Sequence, residues 1–117
     1  MKHGINRKKL SKKSSHRISL LRNLSKSLIN FGMVKTTLYK AKVLRSFIEK
    51  IITKSRLNSL HNKRLVIAKL GSNYQEIYKL TTVIAKKYLK RNGGYIKITK
   101  ISYRKGDCSS MAILKLV

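Results

Sequence analysis

Proline and tryptophan are missing from this chain, cysteine occurs once, and only three side chains carry a carboxylate. Each shortage closes off a class of chemistry. Metal-assisted phosphate chemistry needs several carboxylates converging on one or two ions. Glu49, Glu76 and Asp107 are scattered, and each reads as structural: a helix-face charge, a helix cap and a turn residue. Cys108 alone offers no internal disulfide and no multi-cysteine zinc site, and one cysteine fits a reducing compartment. Its neighbours are serines with no histidine close by, which argues against a nucleophile. His3, His16 and His61 stand far apart with no metal-ligand spacing. No apolar run approaches the roughly 20 residues of a membrane span, and no apolar stretch at the N-terminus resembles a secretory signal. Residues 2–13 contain only Ile5 and Leu10 as large apolar side chains, too few for the amphipathic face of a transit peptide. The expectation is no catalytic residue, no metal, no cofactor, no small-molecule substrate and no membrane.

What the chain does have is cations. In 117 residues there are 29 Lys+Arg, for a formal charge of +26. Self-repulsion at that density works against a compact state, so the balance calls for a polyanionic partner. Each Lys or Arg that neutralises a phosphate releases a condensed counterion, a gain that does not depend on base sequence. The hydrophobic fraction of 42% is too high for a disordered basic tail and sufficient for a modest core.

Residues 1–14 read as an arm. Basic residues at positions 2, 7, 8, 9, 12 and 13 carry no hydrophobic period, so the segment cannot repay its ordering entropy by burial and is expected to order on nucleic acid. Residues 15–117 read as a single domain. Leu21, Leu24, Leu28 and Phe31 mark one apolar helix face, with Ser14 or Ser15 as N-cap and Gly32 as the C′ stop. Met33 to Thr37 alternates like a strand. Thr37 then caps a second helix, which carries Leu38, Ala41, Leu44, Ile48, Ile51 and Ile52 on one side and Lys40, Lys42, Arg45, Glu49 and Lys50 on the other.

A third helix runs from Asn58 or Ser59 to Leu70, stopped by Gly71. Asn73 and Glu76 have capping-box spacing for a fourth, with Ile77, Leu80, Ile84 and Tyr88 inward and Lys86, Lys87, Lys90 and Arg91 at its end. Asn92-Gly93-Gly94 is a stop. Ile96 and Ile98, then Ile101 and Tyr103 in the opposite phase, predict a strand with a bulge near Thr99-Lys100. Arg104 to Asp107 supplies turn chemistry, and Met111 to Val117 returns as a strand. The result is an α+β domain: about four helices on a small three-stranded mixed or antiparallel sheet, with a basic N-terminal arm.

Nucleic acid is the polyanion that fits. The chain has no zinc-finger spacing, no basic region running into leucine heptads and no aromatic RNA-recognition signature. Its charge is spread along the whole chain, which suits a protein enclosed by phosphate inside a folded RNA assembly. An architectural DNA-compacting protein is the rival class, but a DNA-bending hairpin carries an apolar wedge at its tip. The tip here is Arg104-Lys105-Gly106-Asp107.

Five ordered blocks sharpen this. They are MKHGINRKKLSKKSSHR, then Arg22-Asn23, VKTTLYKAKVLRSFIEKIIT, RNGGYIKITK and YRKGDCSSMAILKLV. Together they resemble the bacterial-type large-subunit ribosomal protein family number seventeen. The family's opening pattern falls on Lys2, His3, Leu10, His16 and Arg17. Its Lys-Thr-Thr, Lys-Ala-Lys and Leu-Arg fall on Lys35 to Thr37, Lys40 to Lys42, and Leu44 and Arg45. Its Gly-Gly-Tyr and late Arg, Gly-Asp and Met-Ala fall on Gly93 to Tyr95, Arg104, Gly106, Asp107, Met111 and Ala112. The match thins from about Leu57 to Arg91, and Tyr39 stands where family members often carry proline.

The resemblance implies an RNA-penetrating arm and a place on the solvent side of the large subunit, near the nascent-chain exit. It also implies contact with large-subunit rRNA and with neighbouring proteins, number thirty-two among them. The ribosome would be that of a bacterial cytoplasm or of an organelle. The expected RNA-binding residues are Lys2, His3, Arg7, Lys8, Lys9, Lys12, Lys13, Ser15, His16 and Arg17 in and after the arm. Arg22, Asn23, Lys35, Thr36, Lys40, Lys42 and Arg45 follow, then Arg91, Asn92, Gly93, Gly94, Tyr95, Lys97, Arg104 and Lys105. His16 and Tyr95 are the residues expected to stack on or hydrogen-bond splayed-out bases.

Overall fold

Helical periodicity and β-alternation divide this chain cleanly, and the computed structural model, which describes residues 9–71 and 74–117, follows the division. Helix α1 spans Ser14–Phe31, strand β1 Met33–Thr37, helix α2 Leu38–Arg56 and helix α3 Leu60–Leu70. A fourth helix, α4, runs without a break through Tyr74–Lys79, a π-helical turn at Leu80–Ile84, and Ala85–Lys87. Strands β2 (Ile96–Ile101) and β3 (Met111–Leu116) complete a three-stranded antiparallel sheet of order β1-β3-β2. Lys2, His3, Arg7, Lys8 and the expected cap Asn73 lie outside the described residues.

Helix α2 organises the core. Its stripe of Ala41, Leu44, Ile48, Ile51 and Ile52 is buried as its spacing predicts, and the helix touches the other three helices and every strand. Gly32 ends α1 in the left-handed conformation (φ 73°), donating its N–H to the Leu28 carbonyl. Only glycine adopts that conformation without Cβ strain. At the start of α3 the Ser59 hydroxyl accepts from the Asn62 N–H, so Ser59, not Asn58, is the cap. Thr37 stands at the N-cap of α2 but its side chain does not cap, and the N-cap of α1 is Lys13.

Two expectations fail for identifiable reasons. The buried face of α1 is Leu21, Ser25, Leu28 and Ile29, not the Leu21–Leu24–Leu28–Phe31 stripe; Leu24 is half-buried and Phe31 is 80% exposed. A serine sits at the centre of the true face, and it is tolerated because its hydroxyl donates to the Leu21 carbonyl at 2.7 Å. The bulge in β2 is also absent. Register runs unbroken from Ile96↔Leu116 to Ile101↔Met111, and Tyr103 lies beyond the strand. The phase change reflects a sheet whose outer face is itself partly apolar, with Met33, Ile101, Met111 and Ile113 at outward register positions.

Burial predicts a ranking within α1. Leu28 is fully buried, so Leu28→Ala costs about 2–5 kcal/mol. Leu24→Ala costs less than Leu28→Ala, and Phe31→Ala stays within about 0.5 kcal/mol of the parent. Denaturant unfolding of the three variants tests the ranking; equal losses at Leu28 and Phe31 would mean that the helix is rotated.

Candidate nucleic-acid interface

With the core accounted for, the charges can be followed one by one. Among the described residues a single salt bridge forms, Arg104 with Asp107. It is bidentate, with Nε to Oδ1 at 3.0 Å and a terminal nitrogen to Oδ2 at 2.6 Å. The Arg104 hydrogen bond, then those from Ser109, hold the Asp107 carboxyl well below the ordinary carboxylate range. Glu76 accepts a hydrogen bond from the Asn30 amide, which ties the start of α4 to the end of α1. The three acids therefore leave nearly all of the positive charge without an internal counterion.

Some cations act inside the fold instead. Arg22, expected to face RNA, donates to the carbonyls of Lys69 (2.9 Å) and Ala68 (3.0 Å) and so caps the C-terminal end of α3. Lys79 caps α1 in the same way through the Asn30 carbonyl. Arg56 donates to the Tyr95 hydroxyl and to the Leu89 carbonyl. These roles were invisible in the sequence because the partners lie 33 to 49 residues away along the chain.

Tyr95 is the clearest correction. Its ring is wholly buried against Tyr88, centroids 5.1 Å apart, and its hydroxyl meets Arg56, Thr53 and the Arg91 carbonyl, so it has no face to offer a base. Thr36 is buried too, on the inner side of β1, as strict alternation with Val34 requires. Arg91 is exposed, with Nε donating to the Gly93 carbonyl. Asn92 and Gly93 line a cleft of about 380 Å³ beside Glu49, Lys50, Thr53 and Lys54 of α2. Gly93 and Gly94 hold positive φ (154° and 62°), and a Cβ on either would meet only open space, so a backbone phosphate has room there.

The remaining cations gather on the outside. Lys9, Lys13, Ser15, His16, Asn23, Lys42 and Arg45 are exposed; Lys12, Arg17 and Lys40 are partly so, Arg17 reaching the Ser14 hydroxyl at 3.3 Å. The open face of the sheet carries Lys35 on β1, Lys97 on β2 and Lys115 on β3, and the register sets Lys97 directly opposite Lys115 with Met33 completing the row. At the far end of the sheet, where the Leu38 N–H meets the Ser110 carbonyl, the loop bearing Arg104 and Lys105 joins the start of α2. Lys115 was missed, although the alternation of β3 marks it as outward once β2 and β3 are paired. Like charges directly opposite on a sheet are destabilising, and no acid stands in that row to offset them.

Among the described residues no cluster of His, Cys, Asp and Glu could hold a metal ion, and no helix is long and apolar enough to cross a membrane. A sequence model of the Ribosomal protein L17 family matches residues 20–117. The chain belongs to that family. Two relatives, from Wolbachia sp. subsp. Drosophila simulans (strain wRi) and Wolbachia pipientis wMel, each named large ribosomal subunit protein bL17, are 50% identical over the whole chain and 83% of their own length. The bL17 of Neorickettsia sennetsu is 47% identical over the full length of both chains. Membership in L17 makes this a structural protein of the bacterial large ribosomal subunit, with rRNA and other large-subunit proteins as its surroundings.

The lysine row yields a test. Lys115→Gln relieves the repulsion with Lys97, so at low salt the free domain melts no lower than the parent. Binding of single-stranded RNA weakens, and its log–log salt slope falls by about 0.7, the share of one phosphate. A loss above about 1 kcal/mol in stability with unchanged RNA affinity would make Lys115 a structural residue.

Proposed function

We propose that this protein is a non-enzymatic rRNA clamp that neutralises phosphates where large-subunit rRNA strands converge. The observation that carries the reading is the charge balance: +26 overall, with a single salt bridge among the described residues. Phosphate is the ligand that rewards such a surface, through charge-assisted contacts and counterion release. In this reading the arm (Lys2, His3, Arg7, Lys8, Lys9, Lys12 and Lys13), His16 and Arg17 enter RNA, while Lys42, Arg45, Lys97 and Lys35 hold strands against the domain. Arg104 and Lys105 extend the contact at the end of the sheet. The domain sits on the solvent side of the large subunit, near the nascent-chain exit and beside protein number thirty-two. The basis for that placement is family resemblance, not a contact seen in this chain.

The test pairs location with contact. Purified native protein should co-sediment with large subunits and leave them only at high salt. Arg17→Ala should keep its fold, within about 0.5 kcal/mol, and enter reconstituted subunits less efficiently. Full incorporation of Arg17→Ala, or a native protein that sediments free of the subunit, would overturn the reading.

A further inference from the structure

We infer that a second RNA contact lies away from the lysine-bearing sheet: a cleft that takes a single unstacked ribonucleotide with its phosphate. The cleft, about 460 Å³, opens between the end of α2, the start of α3 and the π-helical turn of α4. Three cations line it (Arg56, Lys63 and Lys86), and no carboxylate does. That volume is within the range of small-ligand sites, roughly 300–1,000 Å³. The inference rests on the RNA-binding reading above and adds a ligand class and a place.

Arg56 is held rigidly by the Tyr95 hydroxyl (2.8 Å) and the Leu89 carbonyl (3.2 Å), yet its Nε is buried with no hydrogen-bond partner. A buried donor left unpaired is costly, and this one belongs to a side chain that lines the cleft. Lys63 and Lys86 are exposed, and no side-chain partner engages either amine among the described residues.

The π-turn supplies the other half of the recognition. Where the Ala85 N–H reaches back to the Leu80 carbonyl, the wide turn disturbs the ordinary ladder. The Thr81 hydroxyl donates to the Ile77 carbonyl at 2.9 Å and that of Thr82 to the Tyr78 carbonyl at 2.6 Å. Each hydroxyl has spent its proton, so both present only acceptor lone pairs. The cleft thus pairs cationic donors with hydroxyl acceptors, suited to a phosphate beside a ribose 2′-hydroxyl, the group that tells RNA from DNA. Val66 and Ala85 form an apolar floor, and Leu57 and Leu89, more than half exposed, stand at the edge where a base plane would rest.

The experiment is an NMR titration of the full-length protein with three probes: a single-stranded RNA pentamer, the DNA pentamer of the same sequence, and a short poly-glutamate peptide. RNA should shift the amides of Asn58, Lys63, Thr81 and Thr82 at lower concentration than DNA, and poly-glutamate should leave them in place. The double variant Lys63→Gln/Lys86→Gln, which alters two exposed side chains, should abolish those shifts and cut the single-strand salt slope by about 0.7, the share of the one phosphate the cleft holds. Its Lys97 and Lys115 amides should still respond to RNA. If those sheet amides respond and the cleft amides do not, the cleft inference fails and the sheet surface stands. Poly-glutamate shifting the cleft as strongly as RNA would make it a peptide site instead. No response to RNA anywhere would overturn both readings.

Discussion

Everything in this fold answers to one constraint: a surface that repels itself must be held together by a core from a chain of 117 residues. Helix α2 meets it by lying at the centre, its buried stripe shared by the sheet and by the other three helices. Gathering the core around one helix leaves the outer faces of α1, α2 and the sheet free to be basic. The same arrangement explains why the open face of the sheet carries lysines at outward positions on all three strands. Helices cover only one side, and the proposed function puts an anion on the other.

The cations divide into two groups with different physics. Arg22 and Lys79 close the C-terminal ends of α3 and α1, where carbonyl groups lack intrahelical partners. Arg56 binds the loop carrying Tyr95 to α2. These residues spend positive charge on the protein's own backbone dipoles. The second group, among it Lys42, Arg45, Lys97 and Lys115, has no such internal use among the described residues and is exposed. A basic ribosomal protein is therefore partly built from the same residue types that it offers to RNA.

This division also marks how far the sequence could be read. Local signals worked: the spacing along α2, glycine stops at Gly32 and Gly71, the cap at Ser59, and the three strands were legible because each depends on neighbours in sequence. Features set by distant partners were not. Ser25 interrupts the buried face of α1, and only its bond to the Leu21 carbonyl makes it a core residue. Gly-Gly-Tyr beside Arg91 reads as an exposed loop, whereas pairing of the Val117 N–H with the Tyr95 carbonyl and the Tyr88 ring draw Tyr95 inside. The π-turn has no sequence signature beyond two adjacent threonines. For the interface, the types of residue were evident but their grouping was not, since Lys97 and Lys115 meet only through strand register.

The central claim is that an external polyanion supplies the counter-charge which the protein itself lacks. The melting temperature of the free protein as a function of ionic strength tests it most directly. Raising salt from about 0.01 M to 0.15 M shortens the Debye length from about 30 to 8 Å and screens the self-repulsion. The account predicts a melting temperature that climbs over this range, and climbs further when an rRNA fragment is added at fixed ionic strength. A melting temperature that is flat or falls with salt, and is indifferent to RNA, would show that the charges are balanced within the protein and would contradict it.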